Sequence, residues 1–335
     1  MRMIAKSIVK YHSMLLAGDI GGTKTLLGLF EAGPSRPRPI AIRAFATLDY
    51  RHLADMLSAF TTEAGVKGAA IEAACFGVAG PVVGETVQLT NGPWRVDARA
   101  LAALLNVRRV AILNDLQAMA FAVPVLQSGE LRVLQEGSAL AGGNMALIAA
   151  GTGLGEAWLH EVDGRFVPSP SEGGHADFAA RTERDVTVLR DLVQRYGRAE
   201  VEQVVSGPGL VNLHRITHAG PCVAVDATNP RDLPAAITRA ALERRCAGCV
   251  DALAIFVEAY GAEAGNLALR TLSTGGLFIG GGIARKILPA LADGRFMKAF
   301  CEKAPFAGLM AAIPVKVILN PEPGLLGAAV YAASS

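Results

Sequence analysis

Met14-Leu15-Leu16-Ala17-Gly18-Asp19-Ile20-Gly21-Gly22-Thr23-Lys24-Thr25-Leu26-Leu27-Gly28-Leu29-Phe30 is an apolar run, a glycine-rich break and a second apolar run. Two short apolar runs flanking a tight glycine turn predict a β-hairpin. The same device returns at Met145–Ala150, Gly151-Thr152-Gly153-Leu154-Gly155 and Glu156–His160. The two halves share no long repeat, yet both carry a hairpin with a glycine tip and a threonine. Two related domains facing each other across a cleft follow as the expectation.

Around these hairpins the pattern is α/β. Ile40–Thr47 is a third strand. Residues 51–64 place Leu53, Met56, Leu57 and Phe60 at helical spacing. Ala69–Val78 and Val110–Leu113 are strands, Ala98–Leu105 is a helix, and Asn114-Asp115 opens another. Gln127–Gly143 is polar and reads as the crossover between halves. Helical patterns occupy 183–196, 234–247 and 249–269. Gly275–Gly282 is a strand ending in three glycines, Ile313–Leu319 a further strand, and Gly324–Ala333 a closing helix. The domains expected are a smaller one over residues 14–125 plus 313–335, and a larger one over 126–312.

Bulk composition excludes several classes. With 335 residues, 51% of them apolar, the chain can fill two cores at about 150 residues each. A net charge of +2 with scattered arginines suggests no nucleic-acid or membrane-surface partner. Five cysteines, an odd number in a long chain, fit a reducing cytoplasm rather than a disulfide framework. The stretch before Met14 lacks the apolar core of a signal peptide, and Met14 is an alternative start. No apolar run is long enough for a membrane helix.

Glycine turns let backbone N–H groups approach an anion closely. Gly21-Gly22-Thr23 and Gly151-Thr152-Gly153 therefore predict a pair of phosphate cradles, against ordinary hairpin turns as the alternative. Neither fits a P-loop or a strand–GxGxxG–helix unit. Asp19, before the first turn, suits Mg2+ held through water or a turn cap. Gly280-Gly281-Gly282 offers flat backbone for an adenine or ribose, or simply tight helix–strand packing. Asn114-Asp115 reads as an N-cap or as a polar pair for chemistry. Glu172-Gly173-Gly174-His175 is a second polar cluster. A metal reading joins Glu172 and His175 to Cys246 and Cys249, but one CxxC pair is weak. Two cysteines three apart within a helical pattern simply pack, and that is favoured.

Gly18-Asp19-Ile20-Gly21-Gly22-Thr23, Leu113-Asn114-Asp115, Gly151-Thr152-Gly153-Leu154-Gly155, Ser171-Glu172-Gly173-Gly174-His175, Ser206-Gly207-Pro208-Gly209-Leu210 and Pro323-Gly324-Leu325-Leu326-Gly327 occur in this order. Together they resemble the bacterial glucokinases with the hexokinase/actin-like ATPase fold, over residues 15 to 332. The resemblance implies two RNase H-like α/β domains with an interdomain cleft. It also implies ATP-dependent phosphorylation of glucose at the 6-hydroxyl, the first step of glycolysis, with Mg2+ as cofactor. Asp115 is then the catalytic base. Asn91, Asn114, Glu172, His175 and Glu202 hold the sugar, alongside Asp115. Asp19, Gly21, Gly22, Thr23, Lys24, Gly151, Thr152, Gly153, Gly280, Gly281 and Gly282 serve the nucleotide, with Asp19 also at the metal.

Two departures matter. Lys24 stands where close relatives often carry Asn; a lysine occurs there in the related ROK kinases, so nucleotide contacts are expected to differ in detail. The ROK zinc-binding cysteine cluster is absent, so that resemblance implies no structural zinc. The rivals are a kinase of mannose, fructose or glucosamine, a non-catalytic sugar sensor, and a chaperone-type or cytoskeletal ATPase. Asp115 argues against the sensor, and Glu172 with His175 against the ATPases. Glucose and ATP are the expected partners, and the sequence leaves a homodimer open.

Overall fold

The computed structural model describes residues 14–64, 71–90, 92, 94–226 and 229–334. In chain order the first half contains β1 (Met14–Ile20), β2 (Lys24–Glu31), β3 (Arg38–Ala46), α1 (Leu53–Glu63), β4 (Ile71–Val78), β5 (Val82–Val83), β6 (Thr86–Gln88), β7 (Arg95–Asp97), α2 (Ala98–Leu105), β8 (Arg109–Asn114) and α3 (Asp115–Ala122). The second half begins with β9 (Leu131–Gln135), β10 (Met145–Ala150), β11 (Leu154–Val162), β12 (Arg165–Ser171), α4 (Glu183–Tyr196), α5 (Gly207–Ile216), α6 (Leu233–Leu242) and α7 (Ala247–Thr271). It continues with β13 (Gly276–Gly280), α8 (Gly281–Lys286), α9 (Leu288–Leu291), α10 (Arg295–Cys301), α11 (Ala307–Ala312) and β14 (Val315–Ile318), and α12 (Pro323–Ser334) closes the chain.

The chain divides into two compact units, residues 1–125 with 321–335, and residues 126–320. In the first unit the sheet runs β3-β2-β1-β4-β8, with the β1/β2 and β2/β3 pairs antiparallel and β1/β4 and β4/β8 parallel. In the second it runs β12-β11-β10-β13-β14-β9, and its first five strands repeat the same alternation of antiparallel and parallel pairs. Each unit therefore starts from a glycine-tipped hairpin and grows a parallel strand onto its first member. This is the duplicated topology of the actin-like ATPase and sugar kinase fold.

The first sheet is covered on both faces, which explains why β1 reads as a continuous apolar run. Leu16 and Ile20 join Met56, Phe60 and Leu101 on one side. Leu15 and Ala17 join Leu113, Ala118, Leu325 and Ala329 on the other. The core of the second unit gathers β10, β13 and β14 against α5, α6 and α7, with Tyr260 among its fully buried side chains.

Three expectations need correction. Residues 313–320 belong to the second unit, because β14 pairs with β13 and β9. The supposed crossover over 127–143 contains β9, an edge strand whose half-exposed side chains give no alternation to read. Two cysteines expected inside one helix instead begin one: the chain breaks after α6, Arg244 takes a left-handed φ of 54°, and Cys246 caps α7. β12 was not anticipated either, since Pro168 and Pro170 argue against a strand, but at the edge of a sheet proline is tolerated.

The contact of α12 with α3 is set by one glycine. A Cβ on Gly327 would lie 1.7 Å from the Ala118 carbonyl oxygen. Gly327→Ala is expected to destabilise the fold by about 1–3 kcal/mol or more through forced separation of the helices. Gly308→Ala in α11, where a Cβ meets nothing within 4 Å, should be neutral or stabilising by about 0.4–1 kcal/mol. Urea unfolding of both variants checks the pair, and equal effects would contradict the packing argument.

Candidate active site

In the first unit, β1 delivers Asp19 to its carboxyl end and the chain turns back through Gly21-Gly22-Thr23. That turn is braced from beneath. The Gly21 amide donates to the Lys24 carbonyl at 3.0 Å, and the Thr47 hydroxyl donates to the Gly21 carbonyl at 2.7 Å. Thr47, fully buried, also hydrogen-bonds the Thr25 hydroxyl at 2.9 Å. Thr23 and Lys24 remain exposed.

Asp19 sits under the start of α12, where a Cβ on Gly324 would fall 2.8 Å from its carboxylate oxygen. Burial, then the Asp115 charge, pushes the Asp19 carboxyl up to about 6; Lys24 opposes this and Glu322 adds to it. Asp19, Asp115 and Glu322 are thus neighbouring acidic groups of one unit. Glu322 had no signal in the sequence beyond its place before the Pro-Gly-Leu-Leu-Gly stretch.

Asn114 and Asp115 divide their work. The Asn114 side chain caps α3, accepting from the Leu116 amide at 2.9 Å and from the Gln117 amide at 3.3 Å. Its amide nitrogen donates to the Gly80 carbonyl at 3.2 Å, leaving one N–H for a ligand. Capping is therefore its structural role whatever else it touches. Asp115 Oδ1 accepts from the Leu116 amide at 2.9 Å. Asn91 lies outside the described residues.

In the second unit, the Gly151 amide closes its turn on the Gly153 carbonyl at 2.8 Å. The Gly151 carbonyl accepts from the Gly207 amide at 2.8 Å, so the turn is seated on the first residue of α5. Ser206 caps that helix, accepting from the Gly209 amide and donating to the Glu202 carbonyl. A Cβ on Gly151 would meet nothing within 4 Å and its φ is not left-handed, so neither packing nor strain requires glycine there. The tip is open for close approach of a ligand.

Glu202 links two motifs. Its carboxylate accepts from the Leu154 amide at 2.8 Å and fills the place a Cβ on Gly153 would take. Its own amide donates to the Gly174 carbonyl at 2.9 Å. The Glu172–His175 turn lies flat on the start of β11, because a Cβ on Gly174 would fall 2.0 Å from the Leu154 carbonyl. Glu172 and His175 are left exposed. His175 Nδ1 pairs with Glu200 at 2.8 Å, and this hydrogen bond chiefly holds the imidazole above its usual pKa. The charges of Glu202 and Glu172 add to the shift, which brings Glu172, His175, Glu200 and Glu202 together as one cluster. The sequence did not single out Glu200.

Of the three late glycines, Gly280 ends β13 and pairs with Ala149, and Gly281 presses on β10 with a φ of 85°. Only Gly282 faces open space. The metal reading of Glu172 and His175 with Cys246 and Cys249 does not hold. His175 pairs with Glu200, while the two cysteine sulfurs meet His218 and Cys222.

Beneath the Glu172–His175 turn lies a group the sequence did not reveal. Glu156 on β11 is fully buried, one carboxylate oxygen has no hydrogen-bond partner, and the other sits where a Cβ on Gly173 would be. Burial, reinforced by Glu263 and opposed by Arg270, pushes its pKa to about 7. The folded protein thus keeps a proton that the unfolded chain releases near pH 4.5, so this group's effect on stability worsens as pH rises from about 4.5 to about 7. Glu156→Gln removes the titration. Its stability relative to the parent should increase between pH 5 and pH 8, by up to about 3 kcal/mol. Urea unfolding at several pH values tests this; a difference independent of pH would refute it.

Comparison with known proteins completes the picture. A family model described as Glucokinase matches residues 16–335. A glucokinase from Nostoc sp. is 39% identical over 96% of this chain and 99% of its own length. One from Synechocystis sp. is 39% identical over 96% and 98%. Among solved structures, glucokinase from an Antarctic psychrotroph matches with a TM-score of 0.84 and 29% identity, covering 96% of this chain and 99% of that one. A ROK family glucokinase from Streptomyces griseus, solved with glucose and AMPPNP, shares the fold at a TM-score of 0.67 and 21% identity, covering 96% and 100%.

Proposed function

We propose a mechanism for a chain that belongs to the glucokinase family and phosphorylates glucose with ATP: Asp115 takes the proton of the sugar 6-hydroxyl as that oxygen attacks the γ-phosphorus. The observation that carries it is the placing of Asp115 beside Asp19 on the unit that bears the first glycine turn. A base at a strand end, held by the Leu116 amide, can receive a proton without moving.

The two glycine turns supply backbone N–H groups for the phosphates, and Lys24 adds a positive charge at the first. Gly282 is the late glycine with room for the nucleoside. The donor is ATP, in keeping with the AMPPNP bound by the Streptomyces griseus relative. Mg2+ fits the chain's own donors: Asp19, Asp115 and Glu322 are hard oxygen groups whose mutual repulsion already weakens the ionised form of Asp19. Asp19 would hold the ion through water, and when bound it neutralises charge on the transferring phosphoryl.

Glu172, His175 and Glu202 hold the sugar hydroxyls, since vicinal hydroxyls offer paired donors and acceptors. The free N–H of Asn114 adds one donor. The five free cysteines of the described chain accord with a cytoplasmic site of action.

Asp115→Asn keeps the shape and removes proton acceptance. Turnover should fall by about 10²–10⁴ while glucose still binds, measured by coupled ADP release and by calorimetry. A variant keeping more than about a third of parent turnover would overturn the assignment.

Glu172 and Glu202 should separate. Glu172→Ala removes only a sugar contact and should raise the glucose KM by roughly 5- to 150-fold with little change for ATP. Glu202→Ala also frees the Leu154 amide under the phosphate turn, so it should raise both KM values. A Glu202→Ala enzyme altered for glucose alone would show that its bond to the turn is dispensable.

A further inference from the structure

The end of α5, the loop after it and the start of α7 converge on five side chains that the kinase reaction does not use. These are His214, His218, Cys222, Cys246 and Cys249. His218 Nε2 lies 3.2 Å from Cys246 Sγ and 4.0 Å from Cys249 Sγ. Cys222 Sγ lies 3.6 Å from Cys246 Sγ and 3.8 Å from Cys249 Sγ. All three cysteines are free. These separations are far longer than a disulfide bond of about 2.05 Å. They bracket the edges of a tetrahedron around zinc, which with Zn–S near 2.3 Å and Zn–N near 2.0–2.1 Å come to about 3.6–3.8 Å.

We propose that His218, Cys222, Cys246 and Cys249 bind one Zn2+ ion in a closed, tetrahedral structural site.

Several features support the ligand set. His218 Nδ1 donates to the His214 carbonyl at 2.6 Å, which fixes the tautomer and leaves the Nε2 lone pair facing the sulfurs. The residue between the paired cysteines has to be small. A Cβ on Gly248 would fall 2.6 Å from the His218 ring, so Cys-Ala-Gly-Cys is the form of CxxC that admits the imidazole. Cys246 stands at the N-cap position of a 25-residue helix. The N-terminus of that helix favours an anionic sulfur ligand. His214 stacks on His218 with ring centroids 4.0 Å apart, and its buried Nε2 has no hydrogen-bond partner. One nitrogen or sulfur from each of His214, His218, Cys222 and Cys249 also lies within 4.8 Å of the others, so His214 is the reserve nitrogen of the cluster.

The site has a structural purpose. Cys222 lies in the loop after α5, where the adjacent Val223 is fully exposed while Cys222, Ala224 and Val225 pack on the core. An ion shared by His218, Cys222 and the CxxC pair would tie this loop to the ends of α5 and α7. The site shares no residue with the nucleotide- and sugar-binding groups, so its loss should cost stability before it costs catalysis.

The test is metal content. Protein produced with zinc in the medium and purified without chelator should carry about one zinc per chain by elemental analysis. A mercurial thiol reagent should release that zinc to a colorimetric indicator in step with thiol modification. Refolding or exchange with Co2+ should give the intense near-ultraviolet sulfur-to-cobalt charge-transfer bands of a thiolate site. Cys222→Ser and Cys249→Ser should each lower bound zinc at least tenfold and lower the melting temperature, with kcat and both KM values of the folded fraction unchanged. His214→Gln should retain the metal. If those variants do not fold, the mercurial release and the cobalt spectrum of the unaltered protein decide alone. Less than about a tenth of an equivalent of zinc, with no cobalt bands on titration, would overturn the proposal. So would a Cys222–Cys246 disulfide in protein purified under reducing conditions, or undiminished zinc in the cysteine variants.

Discussion

Carboxylates seated directly against glycine backbone are the constraint on which this molecule's chemistry depends. Asp19 lies where a Cβ on Gly324 would be, Glu202 where one on Gly153 would be, and Glu156 where one on Gly173 would be. In each case a side chain at residue 324, 153 or 173 would have to expel a charged or protonated group. The glycines of the motifs therefore do more than leave open backbone. They let a helix start, a hairpin tip and a 3₁₀ turn close down on acids that would otherwise be solvated. Closing down is also what shifts Asp19 and Glu156 upward, because burial is the first cause of both shifts.

This view changes what the motif glycines mean. None of Gly21, Gly22, Gly151 and Gly153 has a left-handed φ. The usual reason for glycine in a turn, conformational freedom, is absent at both tips. Gly153 is there for Glu202, and Gly151 leaves open space. Of the glycines expected at the nucleotide, Gly281 alone combines a positive φ with a close approach, and there the backbone of β10 is the neighbour rather than a ligand.

The hairpins, the flanking helices and the double α/β plan were legible because each rests on local signals: apolar runs, glycine breaks and helical spacing. What escaped was set by partners distant in sequence. β9 and β12 are edge strands whose pairing depends on β14 and β11, and nothing in Leu131–Gln135 or in a segment with two prolines announces that. Glu156 sits one position from an obvious glycine turn, but its burial follows from the return of residues 172–175 onto β11. The residues that carry family motifs were found because their types and order are specific. Glu200, Glu322 and the clustering of His218 and Cys222 with the CxxC pair were missed because each is a common residue made notable by a contact. Cys246 and Cys249 were noticed, but their partners His218 and Cys222 lie 24 to 31 residues away.

The duplicated sheet also shows how one plan was given two tasks. In open α/β sheets ligands gather at the carboxyl ends of the parallel strands. In the first unit those ends carry Asp19 on β1 and Asn114 on β8, with Asp115 next. In the second, the corresponding ends of β10 and β13 carry Ala149, Ala150 and Gly280. Asp19 faces Leu26 across its hairpin, and Ala149 faces Gly155 in the matching place. The acids of the second unit come instead from β11 and from the turns after it, at Glu156, Glu172 and Glu202. One unit thus concentrates negative charge at strand ends, where the proposed proton transfer and hard cation would be served. The other keeps its strand ends small and neutral and carries its carboxylates on β11 and the turns after it, as the proposed nucleotide and sugar roles require. The sheet order is the same in both. The difference lies in a handful of side chains at its ends, and under the proposed mechanism those side chains give each half a different share of the phosphoryl transfer.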